Sequence, residues 1–412
     1  MSTSRVVVTG VGAVTPVGIG VETTWQSVLH GVSGAAPITA FDPEGYNSRF
    51  ACEVKGFEPS DYMERRVAKH LDRFSQFALA AAKMAVSDAG LEITESLAPD
   101  VGVVIGSGIG GMATWEAQHT NLLTKGPNRV SPYLIPMMIS DMAAGAVSIE
   151  LGACGPNMSV VTACASSGNA IGEASEMIRR GAAKAIVTGG AEATITPISV
   201  AGFASMKALS FRNDDPATAS RPFDRTRDGF VMGEGSAILV LEDYEFAKAR
   251  GAKIYGEILG YGATGDAYHI TSPEPSGRGA AAAMVRALTQ AGLTTEQIGY
   301  INAHGTSTPA NDRLETIAVK RVFGDAAYRV PISSTKSLTG HMLGAAGAVE
   351  LIFCLLAMRD NIIPATWHYS EPDPDCDLDY VPNVPREAVI TTAMSNSFGF
   401  GGHNASLIVG KI

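Results

Sequence analysis

The strongest constraint on the fold of this 412-residue chain is an alternation of short Val- and Ile-rich runs with Ala-rich stretches. Runs at 5–10, 101–106, 159–163, 184–189 and 236–242 read as strands, and a second series follows at 254–262, 298–302, 331–334, 389–394 and 404–409. Helical stretches at 72–90, 165–181, 278–292, 311–323 and 342–360 lie between them. Strands alternating with helices predict an α/β chain with parallel sheets covered by helices. The two series predict two similar halves, 1–250 and 251–412. With 45 glycines and only 17% charged residues, the chain suits close helix–sheet packing. The polar, Gly-rich segment 211–235 is expected to cross the surface as a long loop.

The charge balance, 31 basic against 41 acidic residues, argues against a nucleic-acid binder. An acidic partner could still dock on a local basic patch. Cys52, Cys154, Cys164, Cys354 and Cys376 form no CxxC pair, which argues against a disulfide framework or zinc site and for a reducing cytoplasm. Met1 to Val17 lacks a long apolar leader core, and the apolar helix Ala345 to Met358 carries Glu350 and is too short to span a bilayer.

Four strand-end motifs carry the chemistry. In Ser159-Val-Val-Thr-Ala-Cys164-Ala-Ser-Ser-Gly168, the cysteine is expected at a strand-to-helix turn, where the helix terminus would lower its pKa. His304, in Asn302-Ala-His-Gly-Thr-Ser-Thr-Pro-Ala-Asn-Asp312, ends another strand, where α/β ligand sites form. In Ser334-Thr-Lys336-Ser-Leu-Thr-Gly-His341, the histidine is expected at a helix N-terminus, which favours a neutral imidazole able to donate to an oxyanion. Glu350 is a plausible partner for Lys336. Asn396-Ser-Phe-Gly-Phe400-Gly-Gly-His-Asn404 reads as a glycine-hinged loop. Gly106-Ser-Gly-Ile-Gly-Gly111 fits a dinucleotide fingerprint but lacks the acidic residue about 20 positions on, so a close-packed glycine turn is expected. One cysteine and two histidines at strand ends suit nucleophilic thioester chemistry.

In order and essentially over the whole chain, TACASS, NAHGTSTPxND, KSxTGHxxGAAG and NSFGFGG resemble the β-ketoacyl-acyl carrier protein synthases, matching the type II elongating enzymes. The resemblance implies the thiolase fold, a five-layer αβαβα sandwich of two similar halves, and a homodimer. It implies decarboxylative Claisen condensation of malonyl- with acyl-carrier protein in fatty acid elongation, with no redox, metal or nucleotide cofactor. The catalytic set falls on Cys164, His304, His341 and Lys336, with Glu350 as the lysine's partner and Phe400 as a gate. Thr306 and Thr308 resemble phosphopantetheine contacts, and Ile109 and Phe398 fall in the substrate-binding region. Arg66, Lys69, Arg129 and Lys207 resemble the basic patch that meets the acidic carrier protein. Asn302, Ala303, Glu350, Ser395 and Asn396 match the surroundings of a monovalent cation. The rival readings are a polyketide ketosynthase, a degradative thiolase, which would need a second late cysteine, and a non-catalytic chain-length partner subunit, which would be expected to lack Cys164.

Overall fold

A computed structural model describes residues 4–412; Met1 to Thr3, part of the stretch inspected for a leader, lie outside the described residues. Ten strands build the main sheet: β1 Val6–Thr15, β2 Val101–Gly106, β3 Asn157–Val160, β4 Ala185–Glu192, β5 Gly235–Asp243, β6 Gly256–Gly265, β7 Tyr300–Asn302, β8 Ile332–Ser333, β9 Thr392–Gly399 and β10 His403–Gly410. A two-residue strand, Gly18–Ile19, folds back on β1. The helices that cover the sheet or carry the site are α1 Arg73–Ala89, α2 Ser166–Arg179, α3 Pro197–Ser205, α4 Arg278–Ala291, α5 Pro309–Phe323 and α6 Ala346–Asp360.

The first five strands lie in the order β3-β2-β4-β5-β1 and the second five in the order β8-β7-β9-β10-β6. Each strand of the first set has its counterpart five strands later, with the same neighbours and directions. Antiparallel pairing of Val7 with Glu257 and of Val8 with Gly256 joins the sets at β1 and β6. The sheets are mixed rather than parallel as expected. β9 and β10 are joined by the short turn Phe400–Gly402, and so tight a link permits only antiparallel pairing.

Alternation along the strands creates the layers. Ile238 and Val240 of β5 pack into one apolar cluster with α1, and Leu239 and Leu241 pack into a second with α2 and α6. On β10, Leu407 and Val409 join that same central cluster, whereas Ile408 packs into a third with α4. The result is α1, sheet, α2 with α6, sheet, α4: five layers. The outer helices approach through matched glycines. A β-carbon at Gly10 would lie 2.1 Å from Ala85 O of α1, and one at Gly260 would lie 2.1 Å from Ala287 O of α4.

The segment 211–235 departs from expectation. Its first residues are partly exposed, but most of 219–235 is buried. Its charges are paired rather than solvated: Asp224 accepts from Ser370 N and Glu371 N at 2.6 Å each, and Arg227 bonds Asp373 at 2.5 Å. No helix among the described residues is long and apolar enough to cross a membrane.

Candidate active site

Cys164 occupies the turn Ala163–Ala165 between β3 and α2. The ladder ends at Val160, short of the expected Ala163, and the helix starts at Ser166. Ala163 has φ +51°, a left-handed conformation that costs a non-glycine residue about 1–3 kcal/mol. Ser166 Oγ holds it there, donating to Ala163 O at 2.6 Å and accepting from Thr162 N at 2.9 Å. The expected lowering of the thiol pKa is not found. Burial pushes Cys164 up to about 12, and the Glu192 charge adds to the rise; Lys336 and the backbone N–H groups of Phe400 and Cys164 pull down without overcoming them. The resting group is therefore the thiol.

His304 follows β7, where Glu315 of α5 accepts the N–H groups of His304 and Gly305 at 2.8 Å each. His341 is held by the buried part of 211–235: its N–H donates to Val231 O at 2.7 Å and its carbonyl accepts from Gly233 N at 2.8 Å. It is not at the helix N-terminus, because the turn Leu343–Ala345 intervenes before α6. Its imidazole is nonetheless held neutral. Burial first, and then Lys336, push both histidines well below their ordinary value, with His341 adding to the effect on His304. The two rings are 5.3 Å apart and nearly perpendicular. A neutral imidazole carries one N–H donor and one acceptor.

Lys336 bonds Glu350, and each side chain is only 1% exposed. Glu350 Oε2 has no partner, nor has either amide atom of Asn302, which pairs in register with Ser395. Asn396 Oδ1 accepts from Ser406 Oγ at 2.8 Å. Of the residues expected around a monovalent cation, Glu350 and Asn302 offer unpaired buried acceptors that fit one, whereas Asn396 Oδ1 is already bonded.

Cys164, His304, His341, Thr306, Thr308, Phe398 and Phe400 line one cavity of about 330 Å³, with Lys207 also on its wall. Thr308 additionally caps α5, accepting from Asn311 N at 3.3 Å. Ile109 does not line this cavity. It lines a neighbouring apolar one, and Phe203, Met206 and Phe400 border both. Arg66, Lys69 and Arg129 are exposed and line neither cavity. Stacking of His70 on Tyr133, 3.9 Å between ring centroids, ties the segment bearing Arg66 and Lys69 to the one that follows Arg129. Sequence reasoning passed over Glu315, Glu192 and Phe230, whose ring lines the cavity and meets the His341 ring edge-on at 5.3 Å. Glu192 left a signal, an acid ending the otherwise apolar run Ala185-Ile-Val-Thr-Gly-Gly-Ala-Glu.

A duplicated five-layer sandwich with a cysteine turn at the strand-to-helix junction of its first half is the thiolase-like architecture. The family model described as "Beta-ketoacyl synthase, N-terminal domain" matches residues 3–247, and "Beta-ketoacyl synthase, C-terminal domain" matches 255–370. A "3-oxoacyl-[acyl-carrier-protein] synthase 2" of Synechocystis sp. is 55% identical over 407 residues, covering 99% of this chain and 98% of the relative. A β-ketoacyl synthase structure from Burkholderia phymatum superposes with TM-score 0.93 at 39% identity, covering 99% of this chain and 100% of that one. A type II polyketide ketosynthase solved with its acyl-carrier protein, "bound to the hexaketide", gives TM-score 0.92 at 36% identity, with both chains fully covered. The chain belongs to the β-ketoacyl synthase family.

Proposed function

We propose that the chain is an elongating condensing enzyme, joining malonyl- to acyl-carrier protein by decarboxylative Claisen condensation in fatty acid synthesis. The observation that carries this is Cys164 sharing one cavity with two neutral imidazoles. Identity of 55% to a 3-oxoacyl-carrier protein synthase, against 36% to the polyketide ketosynthase, favours fatty acid over polyketide substrates.

Because the resting cysteine is a thiol, its proton must move as Sγ attacks the acyl thioester. A neutral imidazole in the cavity accepts it and returns it to the departing carrier thiolate. The N–H groups of Cys164 and Phe400, already directed at the sulfur, then hold the oxyanion. Malonyl-carrier protein enters next. His304 and His341 donate to its thioester oxygen, carbon dioxide leaves, and the enolate carbon attacks the acyl-cysteine carbonyl, giving the 3-ketoacyl thioester and expelling Sγ as a thiolate that takes up a proton from water. Burial, reinforced by Lys336 beside Glu350, keeps the imidazoles uncharged and so able to accept the thiol proton before they donate to the enolate. A monovalent cation at Asn302, when bound, would supply fixed positive charge beside that pair.

The same reading takes the protein as a cytoplasmic homodimer divided into halves at residue 250. Support for a subunit contact comes from edge strand β3, where Met158 is 41% exposed and Val161 just beyond it 56% exposed.

Carrier docking supplies the test of substrate class. The patch is read as Arg66, Lys69 and Arg129 with Lys207 at the cavity wall. Reversing charge at Lys69 and Arg129 together is expected to raise the apparent KM for carrier-bound acyl substrate roughly tenfold at low salt, and less as salt screens the patch. Extension of a small pantetheine thioester in the same malonyl-dependent assay should change little. Equal losses with both substrates would overturn the docking role; failure of the parent to extend either would overturn the function.

The apolar cavity at Ile109 is read as the acyl pocket reached past Phe400. Ile109→Phe adds bulk there, and overpacking typically costs about 1–3 kcal/mol. Short primers should keep their kcat/KM and long primers should lose it; uniform loss across chain lengths would place the acyl chain elsewhere.

A further inference from the structure

One buried carboxylate, whose charge also raises the Cys164 thiol, bonds to the turn that carries Ile109. Glu192 is the last residue of β4 and is fully buried. Its Oε2 accepts from Gly108 N at 2.8 Å and Gly344 N at 3.0 Å, and its Oε1 from Ile109 N at 3.2 Å and Ser107 Oγ at 3.1 Å. Burial pushes the Glu192 carboxyl up, while the four donors around it favour the ionised carboxylate, whose two oxygens offer about four lone-pair sites. The donors come from two separate segments. One is the turn after β2, which carries Ile109. The other is the turn between His341 and α6. A β-carbon at Gly344 would lie 2.5 Å from Gly108 N and 2.7 Å from the carboxylate, and one at Gly108 would lie 3.4 Å from Ala163 O beside Cys164. No side chain fits between these segments, so the carboxylate is what ties them.

We propose that Glu192 is a positioning residue, fixing the Ile109 wall of the acyl pocket against the turns that carry Cys164 and His341. The inference rests on the acyl reading of that pocket. It makes a specific demand of Glu192→Gln, because an amide has one acceptor oxygen and a nitrogen that only donates. Gly108 N and Gly344 N are backbone groups locked in the tight contact, whereas the Ser107 hydroxyl can rotate away. The amide oxygen therefore stays with the glycines, and the nitrogen confronts Ile109 N–H. The pocket residue loses its anchor while the His341 turn keeps its own.

The experiment measures kcat/KM for extension of short and long acyl primers, and carbon dioxide release from malonyl-carrier protein, in the parent, Glu192→Gln and Ile109→Phe. Glu192→Gln is expected to lower kcat/KM for long primers about tenfold more than for short ones, the scale of one buried donor left unpaired, and to retain decarboxylation. A merely structural role would reduce all three activities in one proportion, and that result, or an unchanged chain-length profile, overturns the proposal. Ser107→Ala is the second variant. It keeps the carboxylate but removes one donor, along with the acceptor of Gly110 N at 3.2 Å. It should shift the profile in the same direction by less, and it decides the matter if Glu192→Gln does not fold. If Ile109→Phe leaves the profile unchanged, the acyl reading of the pocket fails first; if it shifts the profile and the other two do not, the Glu192 proposal alone fails.

Discussion

Cys164→Ala is expected to abolish condensation and acyl-enzyme formation while still releasing carbon dioxide from malonyl-carrier protein. The two half-reactions draw on different atoms. Only Sγ can carry the acyl group, and removing the nucleophile of a catalytic unit costs about 10⁶ in rate. Decarboxylation needs donors to the malonyl thioester oxygen, and both imidazoles survive the substitution. Their neutrality does not depend on the cysteine, since burial and then Lys336 keep them uncharged. The backbone should also hold. The strained turn at Ala163 is secured by Ser166 Oγ rather than by the thiol, so losing one sulfur from a half-buried site leaves its supports in place.

His304→Ala and His341→Ala are expected to show the converse defect. Each removes one preorganised donor to the developing enolate, an effect of about 10²–10³ in rate. Acylation of Cys164 should slow but persist, because one imidazole remains to take the thiol proton and the Phe400 and Cys164 N–H groups still face the sulfur. The double variant should fall short of the product of the two single losses, because both rings act on one oxygen in one step. The backbone positions of the two histidines are held independently, His304 by Glu315 and His341 by Val231 and Gly233, so one substitution should not displace the other ring. The pH dependence carries the same signature. With both imidazoles pushed well below their ordinary value, they stay neutral as pH falls through the usual histidine range, so loss of acylation, which needs an unprotonated imidazole to take the thiol proton, should begin below it.

How far the sequence spoke for the fold depended on where the information lay. Strands such as Ala185–Glu192 and Gly235–Asp243 were legible because both faces of each are buried, which leaves a continuous Val/Ile/Leu run. Helices Met142–Leu151 and α3 were not. One carries Gly145 and the other begins at Pro197 and carries Gly202, so neither shows an uninterrupted helical signature. The paired charges of Asp224, Arg227 and Asp373 made a buried segment look like surface, because partners nearly 150 positions apart cannot be seen in a local window. The site residues announced themselves through motifs, but their electrostatics did not. The turn before α6 separates His341 from a helix terminus, and desolvation of Cys164 is a tertiary effect that outweighs the local N–H groups. Glu192 escaped for the same reason, since three of its four donors sit more than 80 positions away and the fourth more than 150.

The central claim is that one cavity divides the labour between a sulfur that carries and two imidazoles that stabilise. The most direct test is carbon dioxide release from malonyl-carrier protein by folded Cys164→Ala protein, with mass-spectrometric detection of acyl-cysteine in the same samples. The account predicts carbon dioxide evolution with no acyl adduct on the chain; a folded Cys164→Ala protein that releases none would contradict it.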